Sequence, residues 1–150
     1  MTVQHILVPI DFSADADQAL EYAIALASKL RARLTLLHVL LTVPPWSEGA
    51  RGLPEDYLRK LVAEVQQGLA TRQQRVQDAG LEGHSLLVYG VPFQGILDTA
   101  QAQQVDLIIM STHGRTGLKH VLLGSVAEKV VRLAPCPVLV TRSPASTPSA

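Results

Sequence analysis

Cysteine is almost missing from this 150-residue chain: Cys136 is the only one, so no internal disulfide can form. It stands between Pro135 and Pro137 beside an apolar run, a setting that suits a buried filler better than a reactive thiol. An excess of charge is missing as well. Thirteen Lys and Arg balance thirteen Asp and Glu, and the basic residues are not clustered. A nucleic acid or an anionic membrane needs a basic stripe, so neither is expected as a partner. No apolar run approaches the length of a membrane span, and the first residues lack the charged-then-apolar order of a secretory leader. The expected location is cytoplasmic. Three common motifs are absent too. Nothing fits G-x-x-x-x-G-K-[ST], nothing fits G-x-G-x-x-G after the first apolar run, and no G-x-S-x-G elbow occurs, which disfavours a serine hydrolase. His5, His38, His84 and His120 show no H-x-x-x-H spacing and have no paired cysteines, so a structural zinc site is not expected.

What remains is the composition of an ordinary globular domain, 47% hydrophobic and 17% charged. Apolar runs of strand length alternate with helical periodicity. Strands are predicted at Val3–Ile10, Leu34–Leu40, Ser85–Tyr89, Asp106–Met110 and Pro137–Thr141. Between them, helices are predicted from Ser13 to Leu30, Pro54 to Ala79, Phe93 to Gln104 and Ser125 to Leu133. The first should face the core with Leu20, Ala23, Ile24, Ala27 and Leu30, capped by Ser13 or Asp11. The second carries Leu58, Leu61, Val62, Val65, Leu69 and Val76 on one side. Gly68 is a weak spot within it, and Gly80 closes it. Residues 41–53, with two prolines and two glycines, read as a long surface loop. Residues 143–150 read as a disordered tail, leaving one domain over 1–142. Alternating strands and helices specify a parallel α/β sheet, open and doubly wound, with right-handed crossovers. Ligands of such sheets bind beyond the carboxyl ends of the strands, where the strand order reverses.

The stretch from Met110 to Val126 reads M-S-T-H-G-R-T-G-L-K-H-V-L-L-G-S-V. It joins a predicted strand to a predicted helix through a glycine-rich loop, the order a phosphate-binding turn needs. Gly114, Gly117 and Gly124 allow positive φ angles and a close backbone approach. The helix start at Gly124-Ser125 offers unpaired N–H donors and the positive end of the macrodipole to an anion. The Ser125 hydroxyl can cap that helix or donate to a phosphate oxygen. His113 can meet a phosphate or pack as a neutral side chain. Arg115 can reach a phosphate or remain a solvated charge.

This stretch resembles the nucleotide loop of the universal stress proteins, whose ATP-binding members carry G-x2-G-x9-G-[ST]. Gly114 takes the second glycine, nine residues (Arg115–Leu123) follow, and Gly124-Ser125 closes the pattern, while Ser111 stands where the family has its first glycine. The likeness extends along the chain: I-L-V-P-I-D-F-S at 6–13, L-H-V at 37–39, L-L-G-S-V-A-E-K-V at 122–130 and P-C-P-V-L-V at 135–140. It implies a Rossmann-like sheet of five strands in the order 3-2-1-4-5 with four helices, bringing Asp11 and the Met110–Gly114 turn to one crevice. It implies that Asp11 takes the ribose hydroxyls, or else caps the first helix. Val39 and the backbone of Pro9 and Ile10 would flank the adenine, with Met110 at its edge. Gly114, Arg115, Gly124, Ser125 and Val126 would line the phosphates, and Ser111, His113 and Gly117 complete the nucleotide-binding set.

The implied function is that of an ATP-binding, nucleotide-dependent stress sensor, with magnesium carried by the nucleotide phosphates. A homodimer paired through the strand Pro137–Thr141 is also implied. Asp11 is the only loop carboxylate expected in the crevice, so ATP hydrolysis should be slow at most. Two alternatives stay open: a dimeric scaffold of the family's non-binding branch, and a nucleotide-cleaving enzyme of a related α/β superfamily.

Overall fold

The computed structural model describes residues 1–41, 48, 54–113 and 123–142. The expected tail 143–150 and most of the 41–53 loop lie outside the described residues, as do Gly114, Arg115 and Gly117. Among the described residues nine elements alternate: β1 (His5–Pro9), α1 (Ala14–Leu30), β2 (Arg33–Leu40), α2 (Glu55–Asp78), β3 (Gly83–Tyr89), α3 (Pro92–Ala102), β4 (Leu107–Ser111), α4 (Ser125–Leu133) and β5 (Val138–Thr141). The strands form a five-stranded sheet in the order β3-β2-β1-β4-β5, and every neighbouring pair is parallel. The expected order is the observed one.

Both faces of the sheet are covered, which is why its central strands are apolar without alternation. Ile6 and Val8 of β1 point to one face, with Leu34 and Leu36 of β2 and Ile109 of β4; α1 and α2 close that face with Ala19, Leu20, Ala23, Val65 and Leu69. Leu7, Leu37, Ile108 and Met110 point the other way, against Ile96 and Ala100 of α3 and Ala127 and Val130 of α4. Adjacent residues of one strand therefore feed different cores, as the period of two requires.

Helix α1 departs from its expected face. Ala16, Ala19, Leu20, Ala23 and Ala27 are buried, but Leu30 is 44% exposed. The chain turns at Arg31, whose φ is 57°, and Ala32 folds under to take the core position instead. Its N–H bonds back to the Ala27 carbonyl at 3.1 Å. In α2, Leu58, Val65, Leu69 and Val76 are buried, whereas Leu61 and Val62 are only partly so. Pro54 precedes the first turn as the N-cap residue, and Gly80, with φ 78°, ends the helix. Helix α3 stops at Ala102, two residues early, because the chain turns at Gln104 with φ 52°.

Gly68 proves to be a notch rather than a defect. Glycine inside a helix costs about 1 kcal/mol relative to alanine. Here a Cβ would lie 2.7 Å from the ring of Phe12, so the missing methyl is the space that the ring occupies.

Candidate functional site

The sheet changes direction between β1 and β4, and a cavity of about 280 Å³ opens at their carboxyl ends. Its walls come from six elements or their flanks. Pro9, Ile10 and Asp11 continue β1, Leu37, His38 and Val39 belong to β2, and Met110, Ser111 and Thr112 continue β4. Gly124, Ser125, Val126 and Ala127 begin α4, Pro92 and Ile96 come from α3, and Ala16 from α1. Thus every described residue expected at the site is in this wall except His113. The wall is mostly apolar, with few polar groups, as small-molecule sites are.

A broader hollow of about 700 Å³ lies at the opposite, amino ends of the strands. Several of its polar groups satisfy one another. Asp106 Oδ2 accepts the N–H groups of Gln4 and His5, each at 2.9 Å. The His5 ring lies 2.8 Å from Thr35 Oγ1 and 3.2 Å from the Arg33 guanidinium. Burial, reinforced by the Arg33 charge, lowers the His5 pKa. Nδ1 also lies 3.3 Å from the Gln103 carbonyl oxygen, so it accepts from Arg33 in one tautomer and donates to Gln103 in the other. The convergent geometry of a site lies at the carboxyl ends instead.

Asp11 and Ser13 divide their work clearly. The Ser13 hydroxyl accepts the Ala16 N–H at 3.1 Å and is the cap of α1. Asp11 Oδ1 accepts from the Ser13 N–H at 2.9 Å and from its hydroxyl at 2.5 Å. Among the described residues nothing donates to Asp11 Oδ2, so half of this carboxylate remains to meet a ligand. Among the described residues it is the only carboxylate on the wall. Capping does not consume Asp11.

Gly124 is required for room, not for handedness. Its φ is −63°, open to any residue, so the expected positive φ is absent. Its N–H instead donates to the Thr112 carbonyl at 2.7 Å, and a Cβ would sit 2.9 Å from that oxygen. Gly124 is also the N-cap residue of α4, which rules out a capping role for Ser125 at the first helical position. The first bond within α4 runs from Glu128 N to Gly124 O at 2.9 Å. The N–H groups of Ser125, Val126 and Ala127 therefore precede the helical ladder, where the macrodipole is positive. Among the described residues the Ser125 hydroxyl has no partner.

Ser111, the departure from the glycine pattern, ends β4 and donates its hydroxyl to the His113 carbonyl at 2.9 Å. It is not among the left-handed residues, so the backbone has no need of glycine there. Cys136 is partly buried, and its thiol pKa is raised by burial and then by Asp106, which disfavours the reactive thiolate. Among the described residues no group of three metal-ligating side chains occurs. No described helix is long and apolar enough to cross a membrane.

Sequence reasoning missed His38, Thr112 and Ile96. The Nδ1–H of His38 donates to the Ile10 carbonyl at 2.6 Å, and the Ile10 N–H donates to Leu37 O at 2.7 Å. Both backbone groups of Ile10 are thus held within the protein. Position on the carboxyl end of β2 was the available signal for His38. Nothing local marks Ile96, which arrives by the packing of α3.

Comparison with known proteins agrees with this architecture. The family model described as "Universal stress protein family" matches residues 2–142. The universal stress protein MJ0531 of Methanocaldococcus jannaschii is 35% identical over 139 residues, covering 93% of this chain and 82% of that protein. The solved structure of UspA from Lactobacillus plantarum superposes with a TM-score of 0.83 at 30% identity, covering 95% of this chain and 99% of that one. The Archaeoglobus fulgidus universal stress protein, solved in complex with dAMP, shares the fold at a TM-score of 0.69 and 24% identity, with 93% and 98% covered. With the strand order, the crevice and the glycine spacing all in agreement, this chain belongs to the universal stress protein family.

Proposed function

We propose that this protein binds an adenine nucleotide, ATP with its magnesium by preference, and acts as a nucleotide-responsive regulator of the stress response. One observation carries the reading. The half-free carboxylate of Asp11 and the unbonded N–H groups at the start of α4 face a single apolar cavity. A ribose and a phosphate chain need that pairing: an acceptor for hydroxyls, and donors at a helix start for an anion. The apolar side chains of Val39, Ile10 and Met110 offer the adenine its walls, beside Pro9. Gly124, Ser125 and Val126 meet the phosphates, together with Gly114 and Arg115 from the loop. The fold relative solved with dAMP supports the ligand class.

Hydrolysis is slow in this reading, because Asp11 is occupied at the sugar and no other carboxylate among the described wall residues can orient a water. Ser111 does not argue for a non-binding scaffold, since its backbone does without the glycine conformation. Titration calorimetry with ATP, with and without magnesium, tests the function. Saturable heat that is stronger with magnesium is the expected result. No heat from any adenine nucleotide would end the reading.

The homodimer belongs to the same proposal. Strand β5 is the sheet edge, and all four of its residues are partly buried. Its outer backbone groups invite a second copy of the same strand. Light scattering should return twice the chain mass; a monomer at micromolar concentration would refute the pairing.

A further inference from the structure

We propose that Phe12 is a positioning residue for the nucleotide site: its ring, clamped between α2 and β2, fixes the turn that aims Asp11 at the ribose. The inference rests on the nucleotide reading above and adds a residue outside the cavity wall. Phe12 follows Asp11 directly and has φ 65°, in the left-handed region. That conformation is a genuine outlier for a bulky side chain and persists only where the surroundings impose it. Glycine or asparagine would make the same turn without strain, so the ring must supply what the backbone conformation opposes.

The surroundings are specific. The Phe12 ring centroid lies 4.7 Å from that of His38, and the Arg72 guanidinium carbon lies 4.9 Å above the ring. The notch at Gly68 admits the ring edge, since a Cβ there would come within 2.7 Å of it. Each part of the clamp is itself held. Arg72 reaches both carboxylate oxygens of Asp17 at 2.7 and 3.0 Å and the Gly68 carbonyl at 3.0 Å. His38 bonds to the carbonyl of Ile10, one residue before Asp11. Contacts therefore close a circuit from Ile10 through His38 to Phe12, with Asp11 on the backbone between its ends. A methyl group at Gly68 cannot be relieved by a simple swing of the ring, because His38 and Arg72 hold its other sides. The displacement passes to the Asp11–Phe12 backbone.

The test compares ATP with 2′,3′-dideoxy-ATP, which lacks the ribose hydroxyls, by titration on wild type, Gly68→Ala and Phe12→Gly. Gly68→Ala is a favourable change for the helix itself, and Phe12→Gly accepts the left-handed turn. Neither change opposes its own local fold, yet each ends the ring's hold on the turn, the first by crowding the ring out of its notch and the second by removing it. Circular dichroism and thermal melting accompany each. Wild type should prefer ATP by about tenfold or more, the worth of a hydrogen bond to a charged group. Both variants should lose about tenfold on ATP while keeping dideoxy-ATP affinity within about threefold, so the preference collapses. A preference unchanged in the folded variants overturns the positioning role, and so does an equal loss on both nucleotides, the mark of general damage. Wild type binding both nucleotides equally removes Asp11 from the ribose and the inference with it. Wild type binding neither overturns the nucleotide reading itself.

Discussion

Gly124→Val is expected to abolish ATP binding, whereas Ser111→Gly leaves it within about threefold of wild type. A Cβ at Gly124 would stand 2.9 Å from the Thr112 carbonyl oxygen, and that oxygen already receives the Gly124 N–H at 2.7 Å. A backbone carbonyl cannot swing aside as a side chain can. The β-branched valine must push Thr112 and the start of α4 apart, and the N–H groups of Ser125 and Val126 leave their places. Each lost hydrogen bond to a charged phosphate costs about 1.5–3 kcal/mol, so two weaken binding by roughly two to four orders of magnitude. Ser111 contributes only a hydroxyl bond to the His113 carbonyl, and its removal leaves the wall in place. Calorimetry on both variants, with circular dichroism as the folding control, decides the matter. A folded Gly124→Val protein with wild-type affinity would show that phosphate lies elsewhere.

The largest loss of stability is expected at Leu7. Its side chain is wholly buried on the α3–α4 face, in the strand between β2 and β4. Leu7→Ala removes this packing and leaves a void that strands paired on both sides cannot collapse to fill. The cost is about 2–5 kcal/mol. For a chain of this size that lowers Tm by roughly 4–20 °C. Leu30→Ala serves as the contrast. Helical spacing places Leu30 on the core face of α1, yet it is 44% exposed, and its truncation should change stability by less than about 0.5 kcal/mol. Urea unfolding followed by dichroism measures both. Equal costs at the two positions would contradict the burial described above.

Leu30 also shows where periodicity stops being informative. The 3.6-residue repeat extends to the last turn, but the left-handed turn at Arg31 is a tertiary decision, and it gives the core place to Ala32. Elements were legible because they follow from signals spread along many residues, the apolar runs and their periodicity, whereas the strand order came only through the family resemblance. Single positions were harder. Gly124 was readable as necessary but not for the right reason, since crowding by Thr112 leaves no trace in sequence. Gly68 looked like a weakness because its partner, Phe12, lies more than fifty residues away. Asp11 left two roles open until the hydroxyl of Ser13 took the cap.

The pairing of β1 with β4 bears on how the molecule is assembled. The Asp106 carboxylate bonds to the backbone of Gln4, 102 residues earlier, and β1 lies beside β4 on one edge while β2 pairs with its other edge. Such distant contacts repay chain entropy only after the hundred or so residues from β1 to β4 are present, which makes a parallel topology of this kind slow to fold. The cavity has one wall on each side of that junction. A chain emerging from the ribosome with β1, α1, β2, α2 and β3 complete has the Asp11 turn but nothing for it to face. The crevice is therefore created only with the arrival of β4 and α4, and the proposed nucleotide site has no partial form before them.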